Sequence, residues 1–252
     1  RETGVRISFS SLRADALTPE LIAVLQQSKV KTATIAPAAG SERMRRVINK
    51  GIDEASILAA AETLVAAGIP NLKLYFMVGL PTETDADVAA IVTLCKRIKH
   101  HFLASSRSRG RIGELTVSLN SFVPKPATPF QWAAMDEVKT LKAKIRQVTA
   151  GLQKVPNVRV HADLPRWGFL QALLSRGDRR VAQLLAAAAE SGWNWPQTFK
   201  QSVLNPGFYV TRERPLAELL PWDFIDHGVR KEFLKEEYRR ALAARASPDC
   251  PM

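Results

Sequence analysis

Leu74-Tyr75-Phe76-Met77-Val78-Gly79-Leu80-Pro81-Thr82-Glu83-Thr84 decides how this chain is read. A short apolar run stops at a Gly-Leu-Pro turn, and a threonine then opens a helical pattern. That is the pattern of a buried strand feeding a helix in a parallel α/β sheet. Such folds bind ligands where the carboxyl end of a strand meets the amino end of a helix.

The same unit repeats on either side. The pattern predicts strands at residues 5–10, 32–36, 72–78, 115–121 and 158–161. Helical patterns separate them. Thr18 precedes Pro19 as an N-cap, Ser41 caps residues 43–49, and Asp53 opens a helix that stops at Gly68. Thr84-Asp85-Ala86-Asp87 starts a helix expected to end near Lys99, and another is expected over residues 136–152. Strands alternating with helices imply right-handed βαβ crossovers and a parallel sheet. After His161 only helices are expected, over residues 167–176, 179–191, 196–203 and 229–246. Trp167, Trp193, Trp195 and Trp222 read as core anchors of this part. Arg176-Gly177-Asp178 reads as a helix break, and residues 107–113 as a loop.

The expected fold is α/β: a partial, incomplete TIM-like barrel of parallel βα units over residues 1–163, followed by a helical extension over residues 164–252. Four or five parallel strands form an arc but cannot close an eight-stranded barrel. The sequence begins in a strand without a start methionine, so a fragment is expected.

Bulk properties narrow the class. A content of 46% apolar and 24% charged residues over 252 residues fits a globular chain with a sizeable core. No membrane span or signal core is visible, which makes the cytoplasm the default location. The net charge of +12 would suit nucleic acid or an anionic cofactor, but the basic clusters at residues 43–46, 96–99, 107–111 and 239–240 are scattered, as solvated helix faces are. The two cysteines, Cys95 and Cys250, exclude a disulfide framework and a cysteine-rich metal site, and Cys95 reads as a small core residue. His100 and His101 are adjacent, so on a helix they point different ways and do not chelate together.

The candidate chemistry lies just after strands: Ser10, Ser11 and Arg13; residues 37–41; residues 79–83; and residues 120–125. A parallel sheet gathers these loops on one face. Gly40 and Gly79 let a ligand approach the backbone, the helix start at Ser41 offers N–H groups, and Phe76 and Met77 offer an apolar wall. Each loop also has a plain reading, as a turn, a cap, a stiff connector or a solvated arginine.

Taken in order, Gly40-Ser41-Glu42-Arg43 with Val47-Ile48-Asn49-Lys50-Gly51, then Leu74–Thr84, then Asn120-Ser121-Phe122-Val123-Pro124-Lys125-Pro126-Ala127-Thr128-Pro129-Phe130 resemble the radical S-adenosylmethionine superfamily. The likeness is strongest to its cobalamin-binding-domain members of unassigned substrate, and residues 175–180 and 220–225 share it. The resemblance implies an iron–sulfur enzyme that binds S-adenosylmethionine and generates a deoxyadenosyl radical. The cofactors implied for the whole protein are S-adenosylmethionine and a 4Fe-4S cluster, with cobalamin a further cofactor of that subgroup. Three cysteines spaced Cys-x3-Cys-x2-Cys would hold the cluster and leave one iron open. This chain has no such motif, so it is expected to start near the family's third strand and to be inactive alone, with no catalytic or metal-ligating residue of its own.

By the same resemblance, Gly40 and Ser41 lie on the ribose side. Met77 lies against adenine, Val78 and Gly79 offer backbone contacts, and Asn120 and Val123 complete the adenine pocket. Ala38 stands where the subgroup usually carries Glu, Tyr75 replaces the first glycine of the adenine motif, and Glu83 sits one place late. The substrate is left open. A rival reading is a basic RNA-binding module built on residues 43–46 and 107–111. A third, another nucleotide enzyme, lacks Gly-x4-Gly-Lys and Gly-x-Gly-x2-Gly.

Overall fold

The computed structural model describes residues 9–106 and 112–248. β1 (Thr32–Ala38), β2 (Asn71–Val78), β3 (Leu115–Ser121) and β4 (Val158–Ala162) form one parallel sheet in sequence order. The strand expected at residues 5–10 lies mostly outside the described residues. Just past it, the Leu12 N–H donates to the Thr34 carbonyl at 2.8 Å, and Leu12 bridges Ile35 in parallel beside β1.

Ten α-helices appear among the described residues: α1 (Pro19–Gln27), α2 (Glu42–Val47), α3 (Glu54–Ala66), α4 (Asp85–Ser106), α5 (Val138–Leu152), α6 (Pro165–Arg176), α7 (Val181–Glu190), α8 (Trp195–Gln201), α9 (Pro206–Val210) and α10 (Lys231–Leu242). The caps read from sequence operate. Thr18 Oγ1 accepts the Leu21 N–H at 3.3 Å, and Asp53 Oδ1 accepts the Ser56 N–H at 2.7 Å. Gly68 adopts φ +87° just after α3, a conformation that costs glycine little.

α4 runs two turns beyond Lys99. Its buried stripe of Ile91, Leu94, Cys95 and Ile98 continues to Phe102, so the core carries the helix onward. Lys99 itself is buried, with its ammonium 4.6 Å from the Phe102 ring centroid. α9 was not expected from sequence. It begins at Asn205-Pro206, where Asn205 Oδ1 accepts the Gly207 N–H at 2.9 Å.

Alternation decides the two faces of the sheet. Leu72, Leu74, Phe76 and Val78 of β2 and Leu115, Val117 and Leu119 of β3 are buried, and α3, α4, α5 and α6 pack neighbour to neighbour. Each of these leucines contributes about 1.5–3 kcal/mol by leaving water. The opposite face of β2 and β3 is half-buried and carries Lys73, Tyr75, Met77, Thr116, Ser118 and Asn120. Sequential strand order, with neighbouring helices in contact, is consistent with an arc of a TIM-like fold.

Ala172 and Leu173 of α6, Val181 and Leu184 of α7, and Tyr209 and Val210 of α9 join the main core with the sheet. A second core lies at the strands' carboxyl ends. There Trp222 and, from α10, Leu234, Tyr238 and Ala241 pack with Ala39, Met44, Leu80, Phe122 and Trp132. Trp222 is therefore an anchor, but Trp167 and Trp193 are 52% and 59% exposed and Trp195 is half-buried. Those three tryptophans do not anchor the core. They sit on α6 and around the start of α8, where both elements face water. The anchoring tryptophan overlooked in sequence is Trp132, fully buried with its ring 6.0 Å from that of Tyr238.

Candidate functional site

The turns that leave β1 and β2 are tied together by one carboxylate. Asp87, at the start of α4, is buried. Its Oδ1 accepts the Ser41 hydroxyl at 2.6 Å, and its Oδ2 accepts the Thr84 N–H at 2.9 Å and the Thr84 hydroxyl at 2.6 Å. Arg43 pairs with the same carboxylate and donates to the Thr82 carbonyl at 2.7 Å. Burial works against the charge on Asp87. The hydrogen bonds from Arg43, Ser41 and Thr84 outweigh it and hold the carboxyl well below the usual carboxylate range.

Glu83 fastens the turn after β2 from beneath. Its Oε2 accepts the Gly79 N–H at 2.7 Å and lies 2.9 Å from Lys144 Nζ, which also reaches Asp136 at 2.7 Å. Burial pushes the Glu83 carboxyl up. Lys144 loses to burial but gains more from its two carboxylates, so its ammonium is held charged above the ordinary lysine value. Gly79 has φ +85°, a conformation that favours glycine, and a Cβ there would press on the end of the Leu141 side chain, 2.6 Å from Cδ2.

These contacts determine where each expected site residue stands. Gly40 is buried against α4, and a Cβ on it would lie 2.2 Å from the Ile91 nitrogen. Ser41 caps α2 through the Met44 N–H at 3.1 Å while donating to Asp87. The Val78 carbonyl accepts the Phe122 N–H at 2.8 Å, and the Gly79 N–H belongs to Glu83. Val123 is half-buried against the main core. Met77 packs on the second core, and its register partner across the sheet is Asn120. The structure thus brings Met77 and Asn120 side by side, at the carboxyl end of the half-open face.

Sequence reasoning did not single out the rows behind that pair. Tyr75 is the register partner of Ser118, and Ser118 that of His161; one step back, Thr34, Lys73, Thr116 and Arg159 follow one another across the sheet. Lys73 Nζ lies 4.7 Å from the Tyr75 ring centroid, and Arg159 pairs with Glu114 at 2.5 Å. Tyr75, Ser118 and Asn120 make no side-chain hydrogen bond among the described residues. The period-two alternation of polar residues in residues 73–77 and 116–120 was the available signal.

Arg45 is buried rather than part of a basic surface. It donates to the carbonyls of Ala39 at 3.1 Å, Gly40 at 3.0 Å and Ile52 at 3.1 Å, and burial pulls its pKa down. Residues 107–111, the other half of the expected basic module, and Cys250 lie outside the described residues. Cys95 is fully buried in α4, and burial pushes its thiol far up, away from thiolate chemistry. No group of three or more His, Cys, Asp or Glu side chains among the described residues could hold a metal ion. These residues therefore do not fit an iron–sulfur cluster. No helix among them is long and apolar enough to cross a membrane.

With this arrangement in view, the chain can be set beside known proteins. The radical SAM superfamily matches residues 1–95, which takes in β1, β2, the turns after them and the start of α4. An uncharacterized protein of Methanocaldococcus jannaschii is 39% identical over 184 residues, covering 73% of this chain and 38% of that protein. The chain thus spans well under half the length of the relative it matches.

Proposed function

We propose that this chain supplies part of the S-adenosylmethionine-binding wall of a radical S-adenosylmethionine enzyme. In this reading residues 1–163 form part of the enzyme's βα barrel and residues 164–252 a helical extension that closes its carboxyl end. The carrying observation is the register pairing of Met77, inside the segment matched to the superfamily, with Asn120 of the next strand on the half-open face.

Each side chain suits its role. Met77 offers a polarizable thioether against a planar adenine. Asn120 offers a carbonyl and an amide N–H side by side, the complement of an adenine edge, and both are unengaged among the described residues. The second core, with Trp222 and Tyr238, backs Met77 and limits water at that end. Gly40, Ser41, Val78 and Gly79 hold the two flanking turns in place, through the Asp87 and Glu83 networks and the α4 contact. When bound, the cofactor would supply an adenosyl group open to reductive cleavage. The described residues offer no ligand set for the cluster that such cleavage requires, and no step through a cluster is assigned to them. Cobalamin finds no specific support in the geometry.

Equilibrium dialysis of the chain against S-adenosylmethionine tests the wall. Saturable binding is expected, and Asn120→Ala should weaken it about tenfold, the size of one or two lost hydrogen bonds in a dry site. Binding indifferent to both Asn120→Ala and Met77→Ala would remove the assignment. The class is tested separately. The gene product containing these residues, reconstituted with iron and sulfide and then reduced, should form 5′-deoxyadenosine, and failure to do so would count against radical chemistry while leaving a binding result intact.

A further inference from the structure

An apolar cavity opens beside the first turn of α6. It measures about 570 Å³ and lies between α6 and the turn joining α7 to α8. Trp167, Phe169, Trp193, Trp195 and Phe199 line it, with Arg166 at its margin. The rings form a continuous sequence: Trp193 to Trp195 at 6.3 Å, Trp195 to Phe199 at 5.5 Å, and Phe199 to Phe169 at 6.0 Å between centroids. Such a volume and lining fall within the range of small-molecule sites rather than of flat protein interfaces.

Two further observations point to a ligand. Trp193 holds φ +65°, directly after Gly192 at φ +64°. The left-handed region is costly for a bulky aromatic, and such outliers persist where the surroundings or a function require them. Here the strained residue closes α7, its N–H donating to the Ala188 carbonyl at 2.6 Å, yet the residue is 59% exposed. At this position of a helix end a hydrophobic side chain ordinarily folds back on the helix; Trp193 instead faces the cavity. The second observation is Arg166. Its guanidinium lies 5.4 Å from the Trp167 ring centroid and forms no salt bridge among the described residues. A cation stacked on an indole beside an apolar cleft, with no carboxylate to neutralise it, complements an anion.

We infer that this cavity binds a small planar aromatic molecule carrying one anionic group, its ring among Trp167, Trp193 and Trp195 and its anion against Arg166. None of the residues lining the cavity is assigned a contact with S-adenosylmethionine, while α6 itself packs at Gly168 on Ser121 and Val123 at the carboxyl end of β3.

The probe is 8-anilinonaphthalene-1-sulfonate, with uncharged N-phenyl-1-naphthylamine as comparator, added to the gene product containing this chain. One saturable site per chain is expected, with energy transfer from tryptophan. Trp193→Ala and Trp167→Ala should each weaken it about tenfold, the scale of one lost aromatic stack, without altering circular dichroism, because both residues are exposed. Arg166→Gln should weaken the sulfonate probe several-fold and leave the uncharged one unchanged. Equal affinity in the tryptophan variants, absence of a saturable site, or an Arg166→Gln effect on both probes or neither would overturn the proposal. So would concentration-dependent self-association abolished by Trp193→Ala, which would make the cleft an interface between copies.

Discussion

The turn network around Asp87 and the half-open strand face a few residues away differ in one decisive respect. At the turns nearly every polar group has a partner inside the chain: Ser41, Arg43, Thr84 and the Gly79 N–H are all engaged. On the face, Tyr75, Ser118 and Asn120 make no side-chain hydrogen bond among the described residues. Polar groups that are satisfied internally build shape, whereas half-buried groups left unsatisfied are available to a ligand. In the proposed reading the turn residues Gly40, Ser41 and Gly79 are scaffold, and the binding positions are alternating residues of β2 and β3, Met77 and Asn120 among them.

That contrast makes stability and affinity separable. The largest stability effect should come from Gly40→Ala. A methyl group there would meet backbone atoms of α4, Ile91 nitrogen at 2.2 Å and Ala90 carbonyl carbon at 2.6 Å, and backbone cannot swing aside as a side chain can. A loss of about 4 kcal/mol in urea unfolding is expected, the upper end for overpacking. A near-neutral result would mean that Gly40 is kept for a ligand rather than for the helix contact.

Asp87→Ala comes next, at about 3 kcal/mol, since it leaves Arg43, Ser41 and Thr84 without their shared acceptor. The pH dependence follows from the direction of its shift. A carboxyl held low in the folded state contributes stability that is fully present above its ordinary value of 3.8 and lost as pH falls below that toward the folded value. The native chain should therefore lose stability more steeply below pH 3.8 than Asp87→Asn does, and parallel acid unfolding curves would show that the network contributes little.

Glu83→Gln should cost about 1–2 kcal/mol. An amide oxygen can still accept the Gly79 N–H, but the charge facing Lys144 is gone while Asp136 remains 2.7 Å from the ammonium. Hydrogen exchange at Gly79 should stay slow in this variant. Fast exchange there would show that the ion pair, not the hydrogen bond, holds the turn.

Much of the scaffold was legible because it rests on local rules. Apolar runs, caps at Thr18, Ser41 and Asp53, and the glycine after α3 place four strands and most helices within a few residues. The end of α4 was not legible, since Lys99 and the histidines after it look like a solvated terminus, and only the core shows that Phe102 carries the stripe onward. The tryptophans failed for the same reason: an indole's fate depends on what the tertiary fold places beside it, so Trp222 and Trp132 are buried while Trp193 is not. At the proposed site, wording points to the turns after β1 and β2, but wording cannot show whether a hydroxyl already has a partner. Ser41 reads identically as a ligand contact and as a cap.

Asn120→Ala should show the smallest change in stability and the most specific change in binding. Its amide is half-exposed on the sheet and bonded to nothing among the described residues, so removing it leaves no orphaned partner and should cost no more than about 0.5 kcal/mol. If it lines the adenine wall with Met77, the same substitution weakens S-adenosylmethionine about tenfold, since the base edge then enters the site unpaired. Ser41→Ala should behave in the opposite sense. It removes the cap of α2 and a bond to Asp87, so stability falls by about 1 kcal/mol or more while affinity follows only as far as the turn loosens. Measured together, the two variants place each residue on one side of the division between shape and binding. A large stability loss in Asn120→Ala, or a selective affinity loss in Ser41→Ala, would reverse the assignment of those two regions.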